Sequence, residues 1–290
     1  MPSTKAEGYY RRALTITEKL APRSLLVANI LDNLAKTADM RNDPAMAEDY
    51  RKRSVVIRQG EIRGRMNRAY YHVKSEGLAG FRCQVVPDWD ALLNNLKPDP
   101  TGVELLGYLR QTHFEVSVGP DGASSVSRQS EVAPPNEQIA ARLRAASAAI
   151  EQVLTGYFQM ATMFVGPLFS DGDESAKVED LNGQYRISQK QGENEALISM
   201  DRDLMITEVK VSMSGTEVTL VPKFSKSPKG YIATGFDGKF STAAGNAEVV
   251  VEIENQEVEG FALPKTVTAI AQGKVRIPLS FTNYEIKKHN

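Results

Sequence analysis

From Lys177 onward, short β-type segments alternate with tight-turn signals, and this pattern constrains the fold more than any other feature. Turn residues separate the segments, among them Ser214-Gly215, Pro228-Lys229-Gly230 and Asp237-Gly238. Even spacing with tight turns predicts an antiparallel β-meander over residues 177–288, which forms a sheet, a half-barrel or a barrel. The predicted strands lie at about 183–190, 195–201, 204–213, 216–224, 230–237, 246–256, 265–272 and 274–286.

A long helix predicted over residues 136–165 is the second constraint. Its last two turns, YFQMATMFV, are apolar on nearly every side, so this end needs to be enclosed. A meander with one apolar face needs a cover. We therefore predict an α+β fold in which a half-barrel wraps around this helix. The residues at helical spacing are Ile139, Leu143, Ala146, Ile150, Leu154, Tyr157, Ala161 and Phe164.

Three shorter elements precede the long helix. The segment AGFRCQVVP alternates apolar and polar residues and predicts a strand that ends at Pro87. The segment DWDALLNNL predicts a short helix. In THFEVSVGPDGASSVS, the Pro120-Asp121-Gly122 turn predicts a hairpin, because proline presets φ and glycine accepts a positive φ.

The front of the chain is helical and repeats itself at an offset of 41 residues: AEGYYRRALTIT at 6–17 is echoed by AEDYRKRSVVIR at 47–58. We predict helices over 6–20, from Ser24 to about Asn42, from Asp43 to Gly60, and over 61–76. The first helix carries Tyr9, Ala13, Ile16 and Leu20 on one face.

This echo, with KLAP and VANILDNLA between its copies, resembles the tetratricopeptide repeat in its 42-residue, kinesin-light-chain-like form. The resemblance implies a tetratricopeptide-like domain over residues 1–59 and an α+β domain over 60–290. It also implies a protein-interaction groove on the helix that carries Asn29, Asn33 and Lys36. An incomplete array exposes an end face, so self-association through residues 6–59 is a further expectation.

The remainder resembles the outer-membrane lipoprotein-carrier (LolA-like) superfamily, in which a curled antiparallel sheet wraps a helix over an apolar cavity. The features that carry the resemblance are LAGFRCQV, the hairpin-shaped LISMDRDLMITEVKVSMSGTEVTLVPKF, and the ending GFALPK…FTNYEI with its Leu-Pro bulge. The resemblance implies a non-catalytic carrier of an apolar molecule, a lipid or an acylated peptide.

No constellation of catalytic or metal-ligating residues appears in the sequence. The histidines His72, His113 and His289 have no partner at ligand spacing. Cys83 lies in an alternating strand and is interpreted as a buried inert thiol. The acidic run SDGDES, residues 170–175, lacks the spacing of a calcium loop and is interpreted as a solvated loop. We therefore expect no enzyme activity, no cofactor and no metal.

The apolar end of the long helix allows two interpretations. Its side chains form the core of a closed module, or they line a cavity for an apolar guest, for which methionine is an adaptable lining residue. We predict ligand binding there, with a protein-interaction scaffold built on the N-terminal helices as the alternative. The candidate ligand-binding residues are Tyr157, Phe158, Met160, Met163, Phe164 and Val165.

Charge and hydropathy limit the possible partners and the possible compartment of the protein. Residues 1–82 carry 16 Lys and Arg against 9 Asp and Glu, which we interpret as solvated helix surfaces rather than a nucleic-acid interface. The most apolar stretch, 157–169, is shorter than the roughly 20 residues of a membrane span. No signal peptide opens the chain, so we expect the cytoplasm by default, or the periplasm if the start is truncated.

Overall fold

The computed structural model describes residues 2–93, 100–130, 132–165, 167–169, 176–213, 215–243, 245–272 and 275–289, without the side chains of 2–4, 93, 100–101, 162–165 and 191. Within these residues the chain forms six helices and one antiparallel sheet of 12 strands. The α+β class predicted from the sequence is confirmed. The acidic run 170–175 lies outside the described residues.

The helices begin where the sequence places capping residues. The side chain of Ser24 accepts a hydrogen bond from the backbone nitrogen of Val27, and Asp43 accepts one from Met46, with Pro44 in the first turn. Such caps satisfy backbone N–H groups that have no partner inside the helix. The helices are α1 (Pro2–Leu20), α2 (Leu25–Met40), α3 (Pro44–Ala69), α4 (Trp89–Leu93), α5 (Pro100–Leu109) and α6 (Glu137–Val165).

The third helix is longer than predicted. We expected it to end at Gly60 and a fourth helix to span 61–76, and both expectations are wrong. A glycine inside a helix costs only about 1 kcal/mol, and α3 continues through Gly60 to Ala69. Tyr70 then adopts an extended conformation and forms a β-bridge with Tyr231. The predicted domain boundary between residues 59 and 60 falls inside α3.

The described side chains form two hydrophobic clusters. The smaller one joins α1, α2 and α3, and its buried members are Leu14, Val27, Ile30, Leu31 and Leu34. The larger one begins with Met66 at the end of α3 and fills the space between the sheet and α6. The apolar face of α1 predicted from periodicity is largely exposed, since Tyr9, Ile16 and Leu20 are 62%, 60% and 80% accessible.

The sheet consists of a long meander extended by an N-terminal hairpin. Its order is β3-β2-β1-β12-β11-β10-β9-β8-β7-β6-β5-β4, and the edge strands β3 and β4 are not paired with each other in the described part of the chain, so the sheet is open. The strands are β1 (Leu78–Pro87), β2 (Thr112–Val118), β3 (Ser124–Ser130), β4 (Lys177–Asp180), β5 (Tyr185–Gln191), β6 (Asn194–Met200), β7 (Ile206–Met213), β8 (Thr216–Ser227), β9 (Gly230–Thr242), β10 (Gly245–Val258), β11 (Phe261–Ala271) and β12 (Val275–Lys288).

One predicted turn is a strand interior. We expected Asp237-Gly238 to end a strand, but β9 continues to Thr242. A Cβ on Gly238 would lie 3.1–3.3 Å from the side chains of Phe240, Val249 and Leu220. Glycine is present here because neighbouring side chains occupy the space above it, not because the chain turns.

The two faces of the sheet differ in chemistry. Inward residues such as Phe114, Ile187, Val267 and Leu279 are at most 1% exposed. The outward face carries cross-strand ion pairs, which are Arg82–Glu115, Lys223–Asp237, Lys239–Glu248, Lys265–Glu254 and Arg276–Glu252. This alternation is the period-2 pattern that defines a half-buried sheet.

Candidate ligand cavity between the long helix and the sheet

An apolar cavity of about 110 Å³, partly open to solvent, lies between the C-terminal half of α6 and strands β9, β10 and β11. The strands contribute Ile232, Phe236, Ile253 and Leu263 to its wall, and β1 contributes Phe81. Among the described residues that line the cavity, none carries a charge. The cavity is therefore suited to neutral, apolar matter.

The structure places half of the predicted ligand-binding residues in this wall. Tyr157 and Phe158 are 7% and 5% exposed and line the cavity together with the half-buried Met160. The neighbouring Ala161, which we did not select, lines it too. The side chains of the other three predicted residues, Met163, Phe164 and Val165, lie outside the described part of the structure.

The helix presents these residues because it starts and packs as its sequence dictates. Asn136 caps α6, with its Oδ1 accepting from the backbone nitrogen of Ile139 at 2.9 Å. Ile150 and Leu154, two turns and one turn before Tyr157, are at most 1% exposed and hold the helix against the sheet. The tyrosine thus enters the interior at the helical period set by the preceding stripe.

An aromatic cluster forms the floor beside the cavity. The ring centroid of Phe158 lies 6.2 Å from that of Phe281, 6.3 Å from that of Phe81 and 5.0 Å from that of Tyr157. Tilted and edge-to-face pairs at these separations add attraction beyond simple burial. The cluster packs Phe158 on three sides at this point of the wall.

Bulges in neighbouring strand pairs shape the sheet around the cavity. The register between β8 and β9 shifts between Lys223 and Phe224, and that between β10 and β11 shifts between Glu254 and Asn255, opposite Pro264. Bulges bend a strand and increase its local twist. The Leu-Pro bulge expected from the sequence is therefore present, and it lines the cavity through Leu263 and Pro264.

Gly235 allows the tightest approach in this wall. Its φ is +149°, and a Cβ at this position would lie 2.1 Å from the carbonyl oxygen of Val251. No side chain larger than hydrogen fits at that separation without moving the backbone of β10. Glycine therefore determines how closely β9 and β10 approach each other at the cavity.

The segment between α3 and β1 closes one end of the cavity, and sequence reasoning missed it. Tyr71 and Val73 line the cavity, whereas we predicted both within a helix. The backbone nitrogen of Tyr71 donates to Tyr231 O at 3.0 Å, and its hydroxyl accepts from Ala262 N at 3.0 Å. The position of Tyr71 is set by its pairing with β9 and β11, which are distant in sequence. The local spacing of apolar residues therefore could not predict it.

The hydroxyls of Tyr71 and Tyr157 and the thiol of Cys83 are neutral at physiological pH. Burial raises the pKa of the hydroxyls of Tyr71 and Tyr157. Burial also raises the pKa of Cys83 to about 12, against a smaller opposite effect of its hydrogen bond with Tyr284. A thiol with that pKa is protonated and unreactive. Such groups supply no nucleophile and no proton transfer at neutral pH.

The predicted interaction residues lie on one side of α2. Asn29 and Lys36 are exposed and Asn33 is half-buried. The guanidinium of Arg58 donates to Asn29 Oδ1 at 2.8 Å and to Asp32 at 2.6 Å, so part of this side faces α3. Burial acts to raise the pKa of Asp32, but its hydrogen bonds with Ser54 and Arg58 outweigh that effect and lower it.

Three further observations bound the chemistry. Within the described ranges, no group of three or more His, Cys, Asp or Glu residues is arranged to hold a metal ion. None of the helices described above is long and apolar enough to cross a membrane. Comparison with family models, with curated proteins and with solved structures found no match to this chain.

Proposed function

We propose that the protein binds an apolar guest non-catalytically in the cavity between α6 and strands β9–β11. The observation that carries the proposal is an opening of about 110 Å³ whose described wall is predominantly apolar and carries no charge. Close-packed protein interiors hold few voids larger than a water molecule. An opening of this size, partly open to solvent, is therefore a candidate binding site rather than a packing defect.

The size of the cavity limits the buried part of the guest. An engineered apolar cavity of about 150 Å³ stays dry and binds benzene. The present cavity is of similar magnitude, so we expect it to receive a single ring or a short alkyl segment. The cavity is partly open to solvent, so the rest of a longer acyl chain would extend from its mouth, and the unbranched Met160 side chain can adapt to it.

We further propose that the open sheet curls around α6 as a half-barrel, in the manner of the lipoprotein carriers that the sequence resembles. The register shifts opposite Phe224 and Asn255 support this geometry, because a bulge bends its strand and increases the local twist of the sheet. In this arrangement a lipid or an acylated peptide would insert its chain end beside the helix.

The test is a titration of the full chain with cis-parinaric acid, a slender fatty acid that fluoresces in apolar surroundings. We expect a saturable signal with one site per chain. Ala161→Leu adds three carbons from the helix side and should weaken binding about 5-fold or more, because overpacking a filled site costs about 1–3 kcal/mol. Ala149→Leu, on the exposed face of the same helix, is the matched control and should bind normally.

A signal that does not saturate, or one that Ala161→Leu leaves unchanged, would contradict the proposal. Thermal melting of both variants checks that each is folded. Native mass spectrometry of the purified full chain gives an independent reading, since a guest retained from expression would appear as an added mass.

A second candidate, an interaction scaffold, rests on α1. Tyr50 and Ile57 of α3 pack against the cluster centred on α2. The sequence echo places Tyr9 and Ile16 at the equivalent positions of α1, where they are 62% and 60% exposed. Residues of the kind that α3 packs against α2 thus recur on α1. There they are largely exposed. The partner that fits it is an amphipathic helix patterned like α2.

Fluorescence anisotropy of a labelled peptide with the sequence of residues 24–42, titrated with the full chain, tests this candidate. Tyr9→Glu should abolish binding, because a charge would enter an apolar contact. Thr15→Glu, on the far side of α1, should leave it intact. Equal binding by both variants would exclude α1 as the docking surface.

A further inference from the structure

Asn255 is a polar residue in a predominantly apolar wall. Its neighbours Glu252 and Glu254 point outward, where they pair with Arg276 and Lys265. Strand alternation turns Asn255 inward, together with Val251 and Ile253. Among the described residues that line the cavity, it alone carries a side-chain amide. In an apolar pocket, the small number of polar groups usually fixes the orientation of a ligand.

The orientation of this amide follows from its partner. The Asn255 Nδ2 donates to Ala233 O at 2.9 Å, beside the bulge where the pairing of β8 with β9 shifts. A backbone carbonyl only accepts hydrogen bonds, so the nitrogen of the amide must face it and Oδ1 must point away. The amide thereby supports the bulge with one end and leaves the other end available.

The oxygen of this amide accepts no hydrogen bond from the residues that the structure describes. The described side-chain atoms that are fully buried without a hydrogen-bond partner do not include Asn255 Oδ1. Part of the surface of this oxygen is therefore accessible. A carbonyl oxygen accepts but cannot donate. A guest that displaces water from this oxygen must bring an O–H or N–H group to keep it hydrogen-bonded.

We infer that Asn255 determines ligand specificity, and that the guest is an apolar chain or ring bearing one hydrogen-bond donor, such as a primary alcohol or a secondary amide. This inference rests on the proposed binding function. The second polar group, the Tyr71 hydroxyl, already accepts from Ala262 N and retains its own proton to donate. It favours guests with an acceptor and does not discriminate between an alcohol and an ether.

The experiment compares two isomers, 1-hexanol and methyl pentyl ether, which have the same atoms but differ in the donor. Their affinities for the full chain are measured by NMR titration in the wild type and in Asn255→Leu. The alcohol-to-ether affinity ratio of the wild type is divided by the same ratio for Asn255→Leu. This division cancels the difference in hydration between the two isomers. A net hydrogen bond of about 0.5–1.5 kcal/mol corresponds to a loss of alcohol preference of about 2- to 12-fold in Asn255→Leu.

A second measurement needs no variant and applies if Asn255→Leu does not fold. In the wild type, 1-hexanol should shift the side-chain amide resonances of Asn255, and the ether should shift them much less. Equal shifts, or an alcohol preference unchanged in a folded Asn255→Leu, would overturn the inference while leaving the cavity as a binding site. Absence of binding by both isomers would instead overturn the proposed function.

Discussion

The hydroxyl oxygen of Tyr70 lies 2.6 Å from the backbone nitrogen of Ile206, 136 residues further along the chain. The same hydroxyl donates to Leu204 O at 2.8 Å, so one side chain satisfies a carbonyl of the β6–β7 turn and the N–H at the start of β7. The tyrosine is 4% exposed and also forms the bridge that ends α3. The N-terminal helices are therefore fixed to the meander at this residue, next to the end of the cavity that Tyr71 closes.

Tyr70→Phe should lower the free energy of unfolding by about 1–3 kcal/mol, because it leaves a buried N–H and a buried carbonyl without their partner. Urea unfolding measures the change. Tyr231→Phe is the control, since its hydroxyl donates only at the surface, to Asp203 O at 3.3 Å, and should cost much less. Equal losses in the two variants would show that Tyr70 acts through packing alone.

Gly235→Ala should destabilise the protein by about 3 kcal/mol or more, the upper end of what backbone strain alone costs. The added Cβ would meet Val251 O at 2.1 Å, and strand β10 would have to move away. Gly245→Ala provides the comparison, because Gly245 has a φ of +124° but no atom within 4 Å of the new Cβ. Thermal melting should show a much larger loss for the first variant, and the account of the close approach between β9 and β10 fails if the losses are similar.

The thiol of Cys83 should not react with Ellman's reagent at pH 8 until the protein unfolds. Burial raises its pKa from 9.0 to about 12, so below pH 9 the folded thiol is protonated and inaccessible. The associated stability is lost as the pH rises from about 9 through 12, since the unfolded thiol ionises first. A Cys83→Ala/Ala149→Cys double variant should react at once. Fast reaction of native Cys83 would contradict its inward position on β1.

The meander could be predicted from sequence because its information is local. Turn residues such as Pro228 and Gly230 fix hairpins between strands that are neighbours in the chain, and alternation fixes which face is buried. The long helix was predicted within one residue at its start for the same reason, through the cap at Asn136. These elements needed no knowledge of distant contacts.

The rest of the site could not be predicted, because non-local contacts decide it. The extended conformation of Tyr70 and the placement of Tyr71 follow from pairing with β9 and β11. The addition of β1 beside β12 joins strands at opposite ends of the domain. Gly238 resembles a turn glycine in sequence, and only the packing of Leu220 and Val249 above it shows otherwise.

Ala161→Leu should stabilise the unliganded protein while it blocks binding. Filling an existing apolar cavity commonly adds about 0.5–2 kcal/mol, and leucine is nearly as good a helix former as alanine. Thermal melting in the absence of ligand measures the gain, with Ala149→Leu as the reference for a leucine outside the cavity. A destabilised Ala161→Leu would show that the space beside α6 does not accept a larger side chain.

The location of a bound guest tests the central claim most directly. We propose an isotope-filtered NMR measurement of nuclear Overhauser contacts between unlabelled 1-hexanol and the ¹³C-labelled full chain. The account predicts contacts from the terminal methyl of the probe to the rings of Phe158 and Phe236, and their loss in Ala161→Leu. Saturating probe with no contact to either ring, or with contacts confined to α1–α3, would contradict a binding site between the long helix and the sheet.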